Sequence, residues 1–269
     1  MKNLKKLPLI LSILSLASFI TPVNADVKVV ASIKPLHSLA SYLMDGVGKP
    51  DLIVEGYGSP HGFSMKPSHA KILQNADLIF WVGEDLEIFL EKPLSSIAKK
   101  AEKIELMEIK GLNVLKFRER NIFDEHDHDD HDDHGKKEDD HDDHEHDDHD
   151  KKEEHADHDD HDGHEGHAHG EYDPHIWLDP MNAKVILNEM VEHLIENDAK
   201  NASKYKSNLK NAFKDIDKLT ADVKADLSKS TASIVFHDAY QYFEERFDIN
   251  ILGAFTVNTD VMPGAEQLA

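Results

Sequence analysis

Residues 126–150 read HDHDDHDDHGKKEDDHDDHEHDDHD, and no other stretch limits the fold of this chain so strongly. The charged tract around it, residues 124–171, has almost no apolar side chain. It cannot bury enough surface to offset the entropy of ordering its backbone, so we expect it to be disordered. Any core must be assembled from the sequence on either side. Apolar patterning resumes at once on both flanks, which makes the tract an insertion within one lobe rather than a linker between two. It also carries most of the charge. The tract holds 24 Asp and Glu against four Lys, a net of −20, while the whole 269-residue chain carries a formal −23. The body is left close to neutral, at −3, and offers no basic footprint for nucleic acid.

The first 25 residues read as an export signal. Lys2, Lys5 and Lys6 precede the apolar run LPLILSILSLASFI, and Val23–Ala25 places small residues before Asp26, so cleavage is expected after Ala25. That run is too short to span a bilayer comfortably. The chain has no cysteine, which removes both disulfides and a lipid-modified anchor and leaves His, Asp and Glu as metal ligands. An exported, soluble, cysteine-free protein fits a bacterial periplasm.

Beyond the signal, apolar runs alternate with helical patterns. Strands are expected over 27–33, 51–55, 77–83 and 103–109. Helices are expected over 34–46, 64–76 and 86–102, the last broken or restarted near Pro93. The run DLIFWVG (77–83) is uninterrupted, as a strand buried on both faces should be. Asp179 and Pro180 read as the N-cap and first residue of a helix ending near Asn197. A second long helix follows over 202–228, then a strand (231–238), a helix (239–247) and a strand (249–255). This alternation implies parallel α/β lobes. One helix and two strands are too few to close the second lobe, and we expect the sequence to stop inside it. The expected organisation is therefore a signal at 1–25, an N-terminal α/β lobe at 26–200 containing the 124–171 insertion, a linker helix at 201–228, and an incomplete C-terminal α/β lobe at 229–269.

Fourteen of the 20 histidines lie in the tract. The others are His37, His61, His69, His175, His193 and His237. His37, His69 and His193 fall inside helical patterns, where a packed or surface role is the simpler reading. His61 (GSPHGF), His175 (DPHIWLD) and His237 (VFHDAY) instead follow strands or sit in loops that feed helices. In an open parallel sheet the carboxyl ends of the strands face the ligand crevice, so such histidines can converge from distant positions. A strand-end histidine can also simply cap a turn.

The segments ASIKPLHSLA, EGYGSPHGFSMKPSHAKILQNADLIFWVGEDLE, PHIWLDP, VFHDAYQYFEERF and FTVNTDVMPGAEQL occur in an order and at a spacing that resemble the ZnuA-type family. These are the periplasmic zinc-binding proteins that serve ABC transporters, and the likeness runs from about residue 27 to 269 apart from the tract. The resemblance implies two α/β lobes bridged by one long rigid helix, here Ala202–Ser228, which limits lobe motion, with the metal site in the cleft between them. It implies His61 and His175 as ligands from the N-terminal lobe and His237 as a ligand from the C-terminal lobe. Zn²⁺ would be cargo rather than a catalytic cofactor. The implied partners are an inner-membrane ABC permease and, as an option, an auxiliary periplasmic zinc protein, for a chain expected to be monomeric. Two departures bear on the fourth ligand. Pro60 stands where many zinc-branch members have Glu, and an acidic residue that others use late in the C-terminal lobe would lie beyond Ala269. Water, a carboxylate from further sequence, or a group from the tract could fill that position.

The tract has chemistry of its own. Its histidines are His126, His128, His131, His134, His141, His144, His146, His149, His155, His158, His161, His164, His167 and His169, and HDDH occurs five times. Neutral imidazoles bind borderline metals, and flanking carboxylates concentrate cations. Each capture must order several residues, so these accessory sites should be weaker than a preformed cleft, and protonation near pH 6.5 should weaken them further. The composition signals metal handling but does not select zinc over nickel or copper, and a solvated spacer with incidental metal affinity is the alternative. The leading functional expectation is zinc capture for import, with the tract as an accessory collector. The rivals are manganese or iron uptake on the same fold, a periplasmic zinc buffer or chaperone, and a zinc hydrolase. The last lacks an HExxH motif and an evident general base.

Overall fold

A computed structural model describes residues 27–118, 170–227 and 232–256. The expected signal, the fourteen accessory histidines and the residues after 256 lie outside the described residues.

The first sheet has four parallel strands in the order β2-β1-β3-β4: β1 (Val29–Ala31), β2 (Asp51–Leu52), β3 (Leu78–Trp81) and β4 (Glu102–Glu105). β3 is buried throughout, as its unbroken apolar run predicts. Side chains alternate between two cores because successive residues of a strand point to opposite faces. Val29, Ala31, Leu78 and Phe80 pack on one side with Leu36, Ala40 and Leu43 of α1 (Lys34–Leu43) and Ile186, Leu187 and Met190 of α4 (Pro180–Asn197). Val30, Ile79 and Trp81 pack on the other side with Leu73 of α2 (Pro67–Asn75) and Leu90 and Leu94 of α3 (Glu84–Ser96). Each such large side chain contributes roughly 1.5–3 kcal/mol when fully buried, so both faces are anchored.

Three local expectations are corrected. Helix α3 runs through Pro93, and its non-helical residue is Glu87. Pro93 falls in the last turn, where one lost hydrogen bond is tolerated. Glu87 is drawn inward because its Oε2 accepts from the N–H of Val82 (2.7 Å) and Gly83 (3.2 Å). The strand expected over 103–109 ends at Glu105, opposite Trp81, where β3 also ends. Leu106–Glu108 then form a 3₁₀ turn, although Met107 N still donates to Val82 O at 3.0 Å. β2 is only two residues long, although Ile53 and Val54 still donate to the carbonyls of Ala31, the last residue of β1, and Ser32 just after it.

Asp179 caps α4 by accepting from Met181 N at 2.8 Å, with Pro180 first in the helix. Helix α5 (Ala202–Leu227) follows, about 39 Å long at 1.5 Å per residue. Its buried residues, Tyr205, Asn208 and Ala212, all lie in its first half, against the first lobe. Asn208 also donates to the carbonyls of Leu43 and Asp45, satisfying the open end of α1. Beyond α5, β5 (Ser233–His237) and β6 (Ile251–Thr256) form a second parallel pair, with α6 (Gln241–Phe247) between them in sequence. No helix among the described residues is long and apolar enough to cross a membrane.

Candidate metal centre

Three separated segments deliver the three histidines. His61 lies in the loop between β2 and α2, where its N–H donates to Ser59 Oγ. Gly56 gives that loop a left-handed turn at φ +65°. His175 begins the 3₁₀ turn Ile176–Leu178, and His237 is the last residue of β5, paired with Thr256. One ligand nitrogen from each ring lies within 4.8 Å of the other two. The Nε2 atoms of His175 and His237 are 3.3 Å apart. That is the edge of a tetrahedron with metal–nitrogen bonds of about 2.0–2.1 Å. The rings line a cavity of about 450 Å³, together with Tyr57, Pro60, Trp177 and Tyr240. His175 is buried, and His61 and His237 are half-buried.

His175 is fixed most firmly. Asp173 Oδ1 accepts from both its backbone N–H (3.0 Å) and its Nδ1 (2.7 Å), which commits Nδ1 as donor and turns Nε2 into the cavity. The Tyr242 hydroxyl donates to the Asp173 carbonyl at 2.6 Å and accepts from Leu115 N at 3.1 Å. Arg246 grips the buried Asp179 carboxylate with two bonds of 2.7 and 2.6 Å. Arg118 pairs with Glu244 and reaches Gln241 at 3.2 Å. Helix α6 is thereby tied to both flanks of His175. Burial pushes the Asp238 carboxyl up from its ordinary range, opposed by the Arg118 guanidinium.

The described ends around the tract meet beside this site. Lys116 and Tyr172 form an antiparallel bridge, Phe117 N donates to Glu171 O (3.1 Å), and Asp173 N donates to Leu115 O (2.9 Å). The returning strand leads directly into Asp173 and His175.

The three helical histidines stand apart from the centre. His37 Nε2 is 3.1 Å from Pro50 O. His69 is buried, and its Nδ1 accepts from Lys66 N at the start of α2. His193 sits among carboxylates on α4. Among the described residues, no carboxylate joins the group of three histidines, and Pro60 lines the cavity. Sequence reasoning missed Asp173, Tyr242 and Arg246. Asp173 was legible as the acid two residues before a candidate ligand; the other two depend on how α6 docks.

The family model described as ZnuA, zinc-uptake complex component A, periplasmic, matches residues 29–269. The chain belongs to the ZnuA family. Among its relatives, the high-affinity zinc uptake system protein ZnuA of Brucella abortus (strain 2308) is 49% identical over 242 residues, 89% of this chain and 70% of that protein. Two solved structures share the fold at low identity. One is a crystal structure of ZnuA (TM-score 0.64, 18% identity, 90% of this chain and 74% of that one). The other is a Mn-bound periplasmic metal-binding protein from Candidatus Liberibacter asiaticus (TM-score 0.63, 17% identity, 90% and 73%). The family is one of periplasmic solute-binding components of zinc uptake, not of enzymes. Two parallel sheets with a long helix between them agree with that fold.

Proposed function

We propose that this protein captures Zn²⁺ in the periplasm through His61, His175 and His237 and hands it to an ABC permease for import. The observation that carries this reading is the convergence of three imidazoles, from segments on both sides of α5, within 4.8 Å of one another, with His175 and His237 at the edge length of a tetrahedral zinc site. Neutral imidazoles favour zinc over manganese, for which more carboxylate is expected. The relative named as a zinc uptake protein supports the same choice. The division into a signal (1–25), an N-terminal lobe (26–200), a linker helix (201–228) and the start of a C-terminal lobe (229–269) belongs to this reading. So do a monomeric state and an auxiliary periplasmic zinc protein as a further partner. The tract histidines act as an accessory collector, weaker than the cleft and close to it in sequence.

Calorimetric titration of the full chain with Zn²⁺ tests this. One tight site per chain should be lost in His61→Ala, His175→Ala or His237→Ala, while weaker binding remains. A tight site that survives all three substitutions would refute the assignment. Competition between Zn²⁺ and Mn²⁺ in the same titration separates zinc from manganese uptake.

A further inference from the structure

A second set of metal-ligating side chains lies outside the cleft. Glu189, His193 and Glu196 form one stripe of α4, at the i, i+4 and i+7 spacing that shares a helix face. Glu102, the first residue of β4, approaches the same stripe at the amino-terminal edge of the sheet, whereas His61 follows the carboxyl end of β2. One ligand atom each from Glu102, His193 and Glu196 lies within 4.8 Å of the others. From this geometry we infer that Glu102, His193 and Glu196 form a second, solvent-facing site for a borderline divalent cation such as Zn²⁺.

The contacts around His193 leave one ring nitrogen available to a cation. His193 Nδ1 is shielded from solvent yet makes no hydrogen bond. Glu102 Oε1 is 2.7 Å away and Glu196 Oε2 4.0 Å away, so the nearer oxygen is close but out of line with an N–H. A bound cation would draw the three donors to a common centre and lengthen the Glu102 contact towards the edge of a coordination polyhedron. The other ring nitrogen, Nε2, lies 3.2 Å from Glu189 Oε1. That carboxylate would hold the proton on Nε2 and leave the Nδ1 lone pair for the metal, the role outer-shell carboxylates play at histidine ligands. Asn197 Nδ2 donates to Glu102 Oε2 at 2.9 Å and fixes the third arm. One imidazole and two exposed carboxylates hold a borderline cation less tightly than three imidazoles in a cavity, so this site is weaker than the cleft.

The test is residue-resolved carbethoxylation of histidines in the full chain, read by mass spectrometry with and without Zn²⁺. Zinc should slow modification of His193, and Glu102→Gln together with Glu196→Gln should abolish that protection. Glu189→Gln should raise the zinc concentration needed by about tenfold. All three glutamates are at least one-third exposed, so these variants retain the fold. His175 and His237 are read in the same digest, so failure of this site is distinguishable from failure of the cleft. Reactivity of His193 that ignores zinc, or protection that persists in the double variant, overturns the inference.

Discussion

Replacing Asp173 tests how much of the cleft is set by the residue behind the ligand. Asp173 is buried and spends one oxygen on two donors of His175, the backbone N–H and Nδ1. Asp173→Ala frees the ring to rotate and to change tautomer, and both reduce the fraction of time that Nε2 faces His237. Outer-shell partners of metal-bound histidines are worth about 10–100-fold in affinity. That range corresponds to about 1.4–2.7 kcal/mol. Burial places Asp173→Ala at the upper end. Asp173→Asn keeps the shape and an acceptor but loses the charge, so it falls at the lower end. The docking of α6 should survive in both, because Tyr242 donates to the Asp173 backbone carbonyl and not to its side chain. The assay is zinc competition against a chromophoric chelator, run beside thermal unfolding of the same preparations. A variant that melts like the wild type but keeps wild-type zinc affinity would refute the positioning role. Loss of affinity equal in the Asn and Ala variants would show that charge alone matters.

Three further outcomes are expected. Burial raises the Glu87 carboxyl to about 7 from an ordinary 4.5, against the opposing Ser32 hydroxyl and the Gly83 and Val82 amides. The folded state therefore keeps a proton that the unfolded chain releases, so stability falls as pH rises from about 4.5 to 7 and then levels off. Glu87→Gln should remove this slope and gain about 3 kcal/mol at pH 8 relative to pH 4 in urea unfolding, and an unchanged slope would contradict the burial argument. Arg246→Met leaves the buried Asp179 carboxylate without its two charged bonds and should cost about 2–4 kcal/mol in urea unfolding, discounted because Arg246 is one-third exposed. Excising residues 124–169 while keeping Gly170–Tyr172 preserves the antiparallel base, so tight zinc binding should persist by calorimetry while the tract's many weak sites are lost from the weaker phase.

The parts of the fold that could be read from the sequence were those governed by local rules. The apolar run of β3, the Asp179–Pro180 start of α4 and the long polar-faced α5 each follow from patterning or capping, and each lies where expected. The misplaced boundaries have tertiary causes. β4 stops at Glu105 because its partner stops at Trp81, and α3 bends at Glu87 because a buried carboxylate reaches two amides rather than because Pro93 is present. The same divide runs through the site. His61, His175 and His237 stood out by their places after strands and in loops, and the structure brings them together. Their supports on α6 carried no local signal, since Tyr242 and Arg246 look like any amphipathic helix face until that helix docks.

The centre is not equally firm around its circumference. His175 is clamped by Asp173, and His237 by the end of the β5–β6 ladder, where Asp238 N also donates to Thr256 O at 3.0 Å. The bonds from Tyr242 to Asp173 and from Arg246 to Asp179 then hold these two supports together across the lobes. The 3.3 Å separation of their Nε2 atoms is thus a property of the folded chain, set before any metal arrives. Preorganisation of this kind removes an ordering cost from binding. His61 completes the triangle from a loop whose neighbouring Tyr57 is fully exposed and whose turn depends on Gly56. Two of the candidate ligands are thus built into the joint between the lobes and one is carried on a surface loop. On the proposed function, this division predicts that zinc binding needs no wide closure of the lobes and that the loop carrying His61 adjusts most.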